Sequence, residues 1–184
     1  AHGAGERTSA GRAELMTGRD ALATGAYCVS SGHAFINPTV PTMPELFAAN
    51  GYRTGLFGKW HLGNTYGYRA QDRGFQEVLT FGGWGLVTVE SHWNNEYMDP
   101  WLMHNGKPEK AQGYCTDVFF SAAKRWMKQC TDDKKPFFVY LPANAAHGPW
   151  QVERRYSAPY AKSAPGAADF FGLIANLDEN IGKC

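Results

Sequence analysis

The 184-residue sequence lacks any apolar run close to the length of a membrane-spanning helix, so we expect no membrane partner. It also lacks an excess of either charge, since 18 basic and 17 acidic residues leave a net charge of +1. That balance gives no attraction for nucleic acid. No Cys-x-x-Cys pair occurs, which excludes the common zinc modules, and we expect free thiols at the four cysteines: Cys28, Cys115, Cys130 and Cys184.

Glycine and proline are plentiful instead, with 21 and 10 residues, and they indicate long ordered loops between the regular elements. Apolar residues at helical spacing predict helices over 43–50, 116–129 and 169–182. Residues 53–58 are predicted as a short buried strand entered from a turn, and the continuous apolar run over 136–141 predicts a central strand covered on both faces. Helices that alternate with buried strands indicate an α/β fold with a mostly parallel sheet.

The remaining segments are expected to be connections, with residues 63–114 mostly loop and residues 150–166 a polar link. The last predicted helix should bury an apolar face of five residues: Phe170, Leu173, Ile174, Leu177 and Ile181. The length suits one domain with a sizeable core.

Two titratable side chains, Lys59 and His61, follow the first predicted strand in the run Gly-Lys-Trp-His-Leu-Gly at 58–63. Residues i and i+2 of an extended chain share a face, so both side chains should point the same way, with Trp60 turned into the body of the protein. Both can donate hydrogen bonds to an oxyanion, which predicts an anion pocket. The alternative is a solvated lysine and a structural histidine in a loop.

A second candidate anion site lies at Thr8 and Arg12. Good helix formers follow Thr8 and Gly18 suits a helix end, so Thr8 is expected at or just before a helix N-terminus. Free N–H groups and the helix dipole favour anions there, and Arg12 shares the helical face of Thr8. The alternative is an ordinary threonine N-cap with a surface arginine.

Other polar and aromatic residues have less defined roles. His92 could line the mouth of a substrate site, whereas His104, which precedes an Asn-Gly turn, is expected to be structural. Asp72 and Arg73 could pair with each other. Three tryptophans could stack on a sugar or an aryl group, but we expect them to anchor loops: Trp84, Trp93 and Trp101. Two histidines are expected in solvent or disordered: His33 and His2.

Several short motifs stand in a shared order along the chain: Thr-Ser-Ala-Gly-Arg at 8–12, Gly-Lys-Trp-His-Leu-Gly at 58–63, Asp-Arg-Gly-Phe at 72–75, Asn-Gly-Lys-Pro at 105–108, Asn-Ala-Ala-His-Gly-Pro at 144–149 and Leu-Asp-Glu-Asn-Ile-Gly at 177–182. In order and spacing they resemble the sulfatase family of the alkaline-phosphatase superfamily over nearly the whole chain. The resemblance implies an alkaline-phosphatase-like α/β sheet flanked by helices. That sheet is expected to be incomplete here, because the family's Asp-Asp and Asp-Asn metal-binding segments have no counterpart in residues 1–184. We therefore expect a partial catalytic domain.

The resemblance implies the hydrolysis of sulfate esters. In the family, a cysteine in Cys-x-(Pro or Ala)-x-Arg becomes formylglycine, whose hydrate attacks the sulfur atom. Arg12 would stabilise that residue, and Lys59 would contact both it and the sulfate. His61 would handle the proton of the hydrate, and His147 would bind sulfate and protonate the leaving alcohol. His92 is expected with Lys59 and His147 as a substrate-binding residue.

Thr8 stands where the family has its cysteine, so formylglycine is not possible at this position. The threonine hydroxyl could act directly as a nucleophile, as it does in related phosphodiesterases of the superfamily. The family also holds a divalent cation, usually Ca²⁺, for which oxygen ligands are suited. Of the expected metal ligands, only Thr8 lies in this chain.

Three hypotheses for the function follow. The leading one is a sulfuric ester hydrolase, of which this chain is an inactive part when alone. The alternatives are a phosphoester hydrolase that uses the Thr8 hydroxyl, and a non-catalytic relative that binds sulfate or a glycan. The expected partner is a sulfated small molecule or glycan, and the expected location is periplasmic or extracellular.

Overall fold

A computed structural model describes residues 7–28, 34–88 and 91–184, so His2 and His33 lie outside the described residues. The helices are α1 (Arg7–Thr17), α2 (Ala21–Thr24), α3 (Met43–Ala49), α4 (Cys115–Asp132), α5 (Arg154–Ser157) and α6 (Ala168–Gly182). The strands are β1 (Arg53–Lys59), β2 (Glu77–Phe81), β3 (Trp101–His104), β4 (Lys107–Lys110) and β5 (Phe137–Tyr140). Short 3₁₀ turns cover Ala70–Arg73 and Ala158–Tyr160. Within these ranges, no helix is both long and apolar enough to cross a membrane.

The five strands form one sheet in the order β4-β3-β2-β1-β5. β1 runs parallel to β2 and to β5, whereas β3 is antiparallel to β2 and β4 is antiparallel to β3. The α/β class is therefore confirmed, but the sheet is mixed rather than mostly parallel. The prediction of β5 as a covered central strand was wrong for the part of the chain that the structure describes, because there β5 pairs with β1 alone and its residues are half-buried.

The segment 63–114, predicted to be mostly loop, holds three of the strands. β2 has only five residues, and every residue of β4 is exposed, so neither shows a strong apolar pattern. β3 and β4 form a hairpin whose turn residues, Asn105 and Gly106, both have positive φ angles, at 49° and 84°. Asn-Gly is favoured in such two-residue turns because both positions need the left-handed region.

Two apolar clusters pack on opposite faces of the sheet because successive residues of β1 point to opposite sides. Leu56 joins the cluster beside α1 and α3, together with Met16, Ile36, Trp60, Phe75 and Val78. Phe57 joins the cluster beneath α4, together with Leu79, Phe81, Leu102, Phe119 and Ala123. Cys115 and Cys130 are buried free thiols, as expected, but the free thiols of Cys28 and Cys184 are not buried.

The buried face of α6 differs from the predicted one. Leu173 is buried, but Ile174 and Ile181 are exposed. Asn176 and Asn180 are buried in their place because both side-chain amides donate to a carboxylate oxygen of Asp117 on α4, at 2.9 and 2.6 Å. A polar contact between α4 and α6 thus sets the rotation of the helix.

Asp72 and Arg73 do not pair with each other. The 3₁₀ turn places the Asp72 carboxylate against Arg69, which makes two hydrogen bonds of 2.8 Å to it. Arg73 points into the core, where it contacts Glu45. Neighbours in sequence point in different directions on a helical turn, which explains why the predicted pair was wrong.

Candidate anion-binding site

Helix α1 carries the first part of the site. It ends at Thr17, and Gly18 follows with a φ of 65°, as the sequence predicted. Arg12 is half-buried, and its Nη1 donates to the backbone carbonyl of Lys59 and to the Tyr140 hydroxyl, both at 2.9 Å. One guanidinium therefore connects α1 to the ends of β1 and β5. Its Nε is buried and has no hydrogen-bond partner in the described ranges.

Thr8 lies in the first turn of α1 and is half-buried. Helical geometry puts it one turn before Arg12 and on the same face. The prediction that Thr8 and Arg12 share one helical face thus agrees with the position of both residues in α1.

Lys59 is the last residue of β1 and is only 3% exposed. No hydrogen bond or ion pair involves its ammonium group in the described part of the chain, where a buried cation would ordinarily have a carboxylate partner. Burial, and to a smaller extent the nearby charge of Arg12, together lower the pKa of Lys59 to about 8. Two adjacent cations with no counter-charge among the described residues form a site that favours an anion.

Gly58 allows β1 to approach the loop that follows β5. Its φ is 130°, and a Cβ atom at this position would lie 2.2 Å from the carbonyl oxygen of Pro142. The backbone N–H of Lys59 donates to that same oxygen at 2.8 Å. Only glycine has room for this approach, which brings Pro142, the first residue of the segment 142–149, beside Lys59.

His61 is buried, and its φ of 59° places it in the left-handed region. The chain therefore leaves the extended conformation before this residue, and the rule that positions i and i+2 share a face does not hold here. Trp60 is buried as predicted, and its indole N–H donates to the carbonyl oxygen of Tyr68 at 2.9 Å.

His147 is exposed in the loop that begins at Pro142. Its backbone N–H donates to the carbonyl of Asn144 at 3.0 Å, and the Tyr97 hydroxyl donates to its carbonyl at 3.5 Å. Nδ1 lies 2.7 Å from the carbonyl oxygen of Gly148, which can only accept, so Nδ1 carries the proton. Nε2 is then the nitrogen left to exchange a proton with a ligand.

The described contacts of His92 are with residues outside this group. Its ring stacks on Trp101 with centroids 4.9 Å apart, and Nδ1 lies 2.9 Å from the carbonyl of Trp93. No hydrogen bond or ring contact in the described ranges joins it to Arg12, Lys59 or His147, so its place at a substrate mouth stays a prediction. His104 is bonded to Glu77 and Glu109, which agrees with a structural role.

Sequence reasoning missed residues that complete this site. Tyr140 accepts from Arg12, and the buried Asn144 has a side-chain oxygen with no partner in the described ranges. Tyr97 holds the backbone of His147 from a segment 50 positions away. The strand-end rule that selected Lys59 applies equally to Tyr140, whereas Tyr97 gives no local signal.

The described residues do not supply a calcium site. They contain no group of three His, Cys, Asp or Glu residues able to hold a metal ion. Around Arg12 and Lys59 the oxygen donors are hydroxyls, amides and carbonyls rather than carboxylates, which are the main calcium ligands. No chemistry of this chain is therefore assigned to a metal.

The sequence model of the sulfatase family matches residues 1–184. The chain belongs to the sulfatase family. It is 25% identical to an uncharacterized sulfatase of Escherichia coli (strain K12), over 94% of this chain and 34% of that protein. It is 31% identical to the arylsulfatase of Klebsiella aerogenes, over 61% of this chain and 25% of that protein. The chain thus spans 34% and 25% of the length of these two relatives.

A solved structure gives the same result for the fold. The crystal structure of Ps i-CgsB in complex with k-i-k-neocarrahexaose matches with a TM-score of 0.83 and 26% identity. The match covers 96% of this chain and 43% of that chain. The expected sulfatase fold is therefore confirmed over the region that this sequence spans.

Proposed function

We propose that residues 1–184 are part of a longer catalytic domain that hydrolyses sulfate esters, and that this part holds the sulfate group. The observation that carries the proposal is the pair of Arg12 and Lys59, adjacent cations with no carboxylate partner in the described ranges. Sulfuryl transfer spreads negative charge over the oxygen atoms, and fixed cations in a site shielded from water stabilise that charge. Membership of the sulfatase family supports the same reaction.

The roles follow from the geometry. Lys59 supplies a compact charge at the sheet edge, and the guanidinium of Arg12 supplies a second charge beside it. His147, with Nδ1 protonated, can protonate a leaving alcohol from Nε2 when the ring is charged. His61 remains the proposed second proton-transfer residue, from its buried position after β1.

Thr8 favours a second candidate function, the hydrolysis of phosphoesters. Its hydroxyl lies on the face of Arg12 and could attack a phosphorus atom after losing its proton to a base. Phosphate and sulfate groups are both tetrahedral anions, so Arg12 and Lys59 suit either substrate. A third candidate, binding without turnover, also follows from the absence of the cysteine.

The proposed partner is a sulfated small molecule or glycan. A protein of Bacteroides thetaiotaomicron that is 27% identical over 79% of this chain is an N-acetylglucosamine-6-O-sulfatase, and Ps i-CgsB was solved with a neocarrahexaose. We propose a periplasmic or extracellular location. Calcium is typical of the family; beyond Thr8, its ligands would have to come from outside residues 1–184.

The substitution Thr8→Cys in the complete protein, expressed with a formylglycine-forming enzyme, tests the proposed function. The run Cys-Ser-Ala-Gly-Arg would satisfy the family's motif, so we expect aryl sulfate hydrolysis by this variant and not by the unaltered protein. Added Lys59→Ala or His147→Ala should abolish or weaken that activity.

Other outcomes point to the other candidates. Hydrolysis of phosphodiesters by the unaltered protein, abolished in Thr8→Ala, would favour the phosphoester hydrolase. Sulfate binding without turnover in either form would favour a binding protein. The absence of both turnover and sulfate binding would contradict all three.

A further inference from the structure

Trp84 lies at the same edge of the sheet as the anion-binding site. β1 and β2 are parallel, and their register pairs Lys59 with Phe81, the last residues of the two strands. Trp84 follows three residues later, in a segment with glycine at 82, 83 and 85. The carboxyl ends of neighbouring parallel strands meet at one edge, so the segment leaves the sheet beside Lys59.

The ring of Trp84 contacts His147. The centroids of the indole and the imidazole are 6.2 Å apart, with 60° between their planes. His147 belongs to the loop that Gly58 brings against the end of β1. Trp84 is therefore placed on the side of the site where His147 would face the leaving alcohol.

Trp84 does not anchor a loop in the way that Trp60 does. Trp60 is buried and its N–H is bonded, whereas Trp84 is 49% exposed and its N–H has no hydrogen bond in the described ranges. Its one ring contact there is His147. The expectation that Trp84 anchors its loop stays a prediction, because the half-exposed indole has one ring contact and no hydrogen bond in the described ranges.

An open indole face beside an anion site suits a ring that carries a charged substituent. The apolar C–H face of a pyranose can stack on the indole, and its hydroxyls can bond to groups that an aryl ring could not use. One such group is at hand in the Trp84 N–H, which has no hydrogen bond in the described ranges. This combination favours a sugar over a simple aryl group.

We propose that Trp84 is a specificity residue on which the pyranose ring of a sulfated sugar stacks while Arg12 and Lys59 hold its sulfate group. This inference rests on the proposed function, because it needs the sulfate to lie in the site. Burying the open half of an indole corresponds to about a tenfold gain in affinity, or somewhat more.

Calorimetric titrations of the complete protein test the proposal, with inorganic sulfate, phenyl sulfate and methyl glucopyranoside 6-sulfate as probes. We expect Trp84→Ala to weaken binding of the sulfated pyranoside about tenfold and to change binding of inorganic sulfate less than twofold. Trp84→Phe should retain most of the affinity because it keeps an aromatic face. The matched control is Trp93→Ala, which removes an indole that is 79% exposed and should change neither affinity.

Three results would overturn the proposal. One is unchanged affinity of Trp84→Ala for the sulfated pyranoside, and another is an equal loss for inorganic sulfate, which would mean that Trp84 only positions His147. The third is a loss confined to phenyl sulfate, which would identify an aryl group. If the unaltered protein binds none of the probes, the proposed function itself fails, and that result is distinct from the other three.

Discussion

Arg73 and Lys59 are equally buried, each 3% exposed, but their surroundings differ. Arg73 donates to Glu45 at 3.2 Å and to the carbonyls of Ile36 and Val40 at 3.2 and 2.6 Å. Lys59 has no carboxylate partner in the described ranges and lies beside Arg12. The charge of Arg73 is thus compensated by contacts within the fold, whereas Lys59 is left to bind an anionic ligand.

The same contrast holds for the regions around these two residues. Across β2 to β4, the His104 ring lies between Glu77 and Glu109, at 2.7 and 2.9 Å, and the nearby Arg69 is bonded to Asp72. At the ends of β1 and β5, the described contacts of Arg12 are to neutral oxygen atoms. Compensated charges stabilise the fold, whereas uncompensated ones indicate a binding site.

The largest effect is expected from Arg73→Met. Burial acts to raise the pKa of Glu45, but hydrogen bonds from Arg73 and Thr42 outweigh it and hold that pKa below its ordinary value. Removal of the guanidinium takes one donor from Glu45 and leaves the carbonyls of Ile36 and Val40 without the donor that Arg73 supplies. We expect the free energy of unfolding in urea to fall by about 3 kcal/mol or more.

The matched control for Arg73→Met is Arg69→Met, which breaks the more exposed pair with Asp72. Its effect should stay within about 1 kcal/mol. Equal losses from the two substitutions would contradict the view that Arg73 is a compensated core cation.

The substitution Lys59→Met should change the free energy of unfolding in the opposite direction. It removes a buried ammonium that has a charged neighbour and no counter-ion among the described residues, at similar side-chain volume, so we expect a gain in stability of roughly 1–3 kcal/mol. The same urea titrations measure it. A loss of stability would mean that the Lys59 ammonium group has a stabilising partner in the folded protein.

The pH dependence of stability gives an independent check on Lys59. Its pKa is about 8 in the folded protein against an ordinary value of 10.5, so between these values the unfolded chain binds more protons. Stability of the unaltered protein should therefore rise from pH 8 to 10.5 relative to Lys59→Met. Parallel curves for the two proteins would contradict the lowered pKa.

A smaller effect is expected at His104. The hydrogen bond with Glu77 raises the pKa of His104, the bond with Glu109 adds to this, and burial opposes it. The stabilisation is thus complete below the ordinary pKa of 6.5 and is lost as the pH rises through the raised value.

For these partly exposed groups we expect at most about 1 kcal/mol. Chemical denaturation from pH 5 to 9 measures it, and His104→Gln should remove the pH-dependent part. A stability that rises with pH in this range, and does so less in His104→Gln, would contradict the assignment.

Much of the fold follows from local patterns in the sequence. The helix over 43–50 was predicted almost to its ends because Pro44 marks its start and Gly51 follows its end. β1 was predicted as a buried strand that follows the turn at Gly51, and β5 was predicted from its apolar run. β3 and β4 were not, because their pairing depends on a hairpin turn and on contact with β2 rather than on their own composition.

The residues of the candidate site likewise fall into those that local patterns predict and those that depend on contacts between distant segments. Lys59 and Arg12 could be selected from strand-end and helix-start rules, and the structure brings them together through one hydrogen bond of 2.9 Å. Tyr140, Tyr97 and Trp84 could not be assigned, because their roles depend on contacts between segments far apart in sequence. The prediction that His61 shares a face with Lys59 assumed an extended backbone through residue 61. The strand ends at Lys59, and His61 has a positive φ angle.

The affinity for inorganic sulfate as a function of pH tests most directly whether Lys59 and Arg12 form an uncompensated anion site. Calorimetry of the unaltered protein should give a constant affinity below pH 8 and a steep loss above it, as Lys59 loses its proton. Lys59→Met should bind sulfate weakly at every pH, and Lys59→Arg should bind it without the loss near pH 8. Sulfate binding that is equal in Lys59→Met, or that does not change between pH 7 and pH 10, would contradict the account.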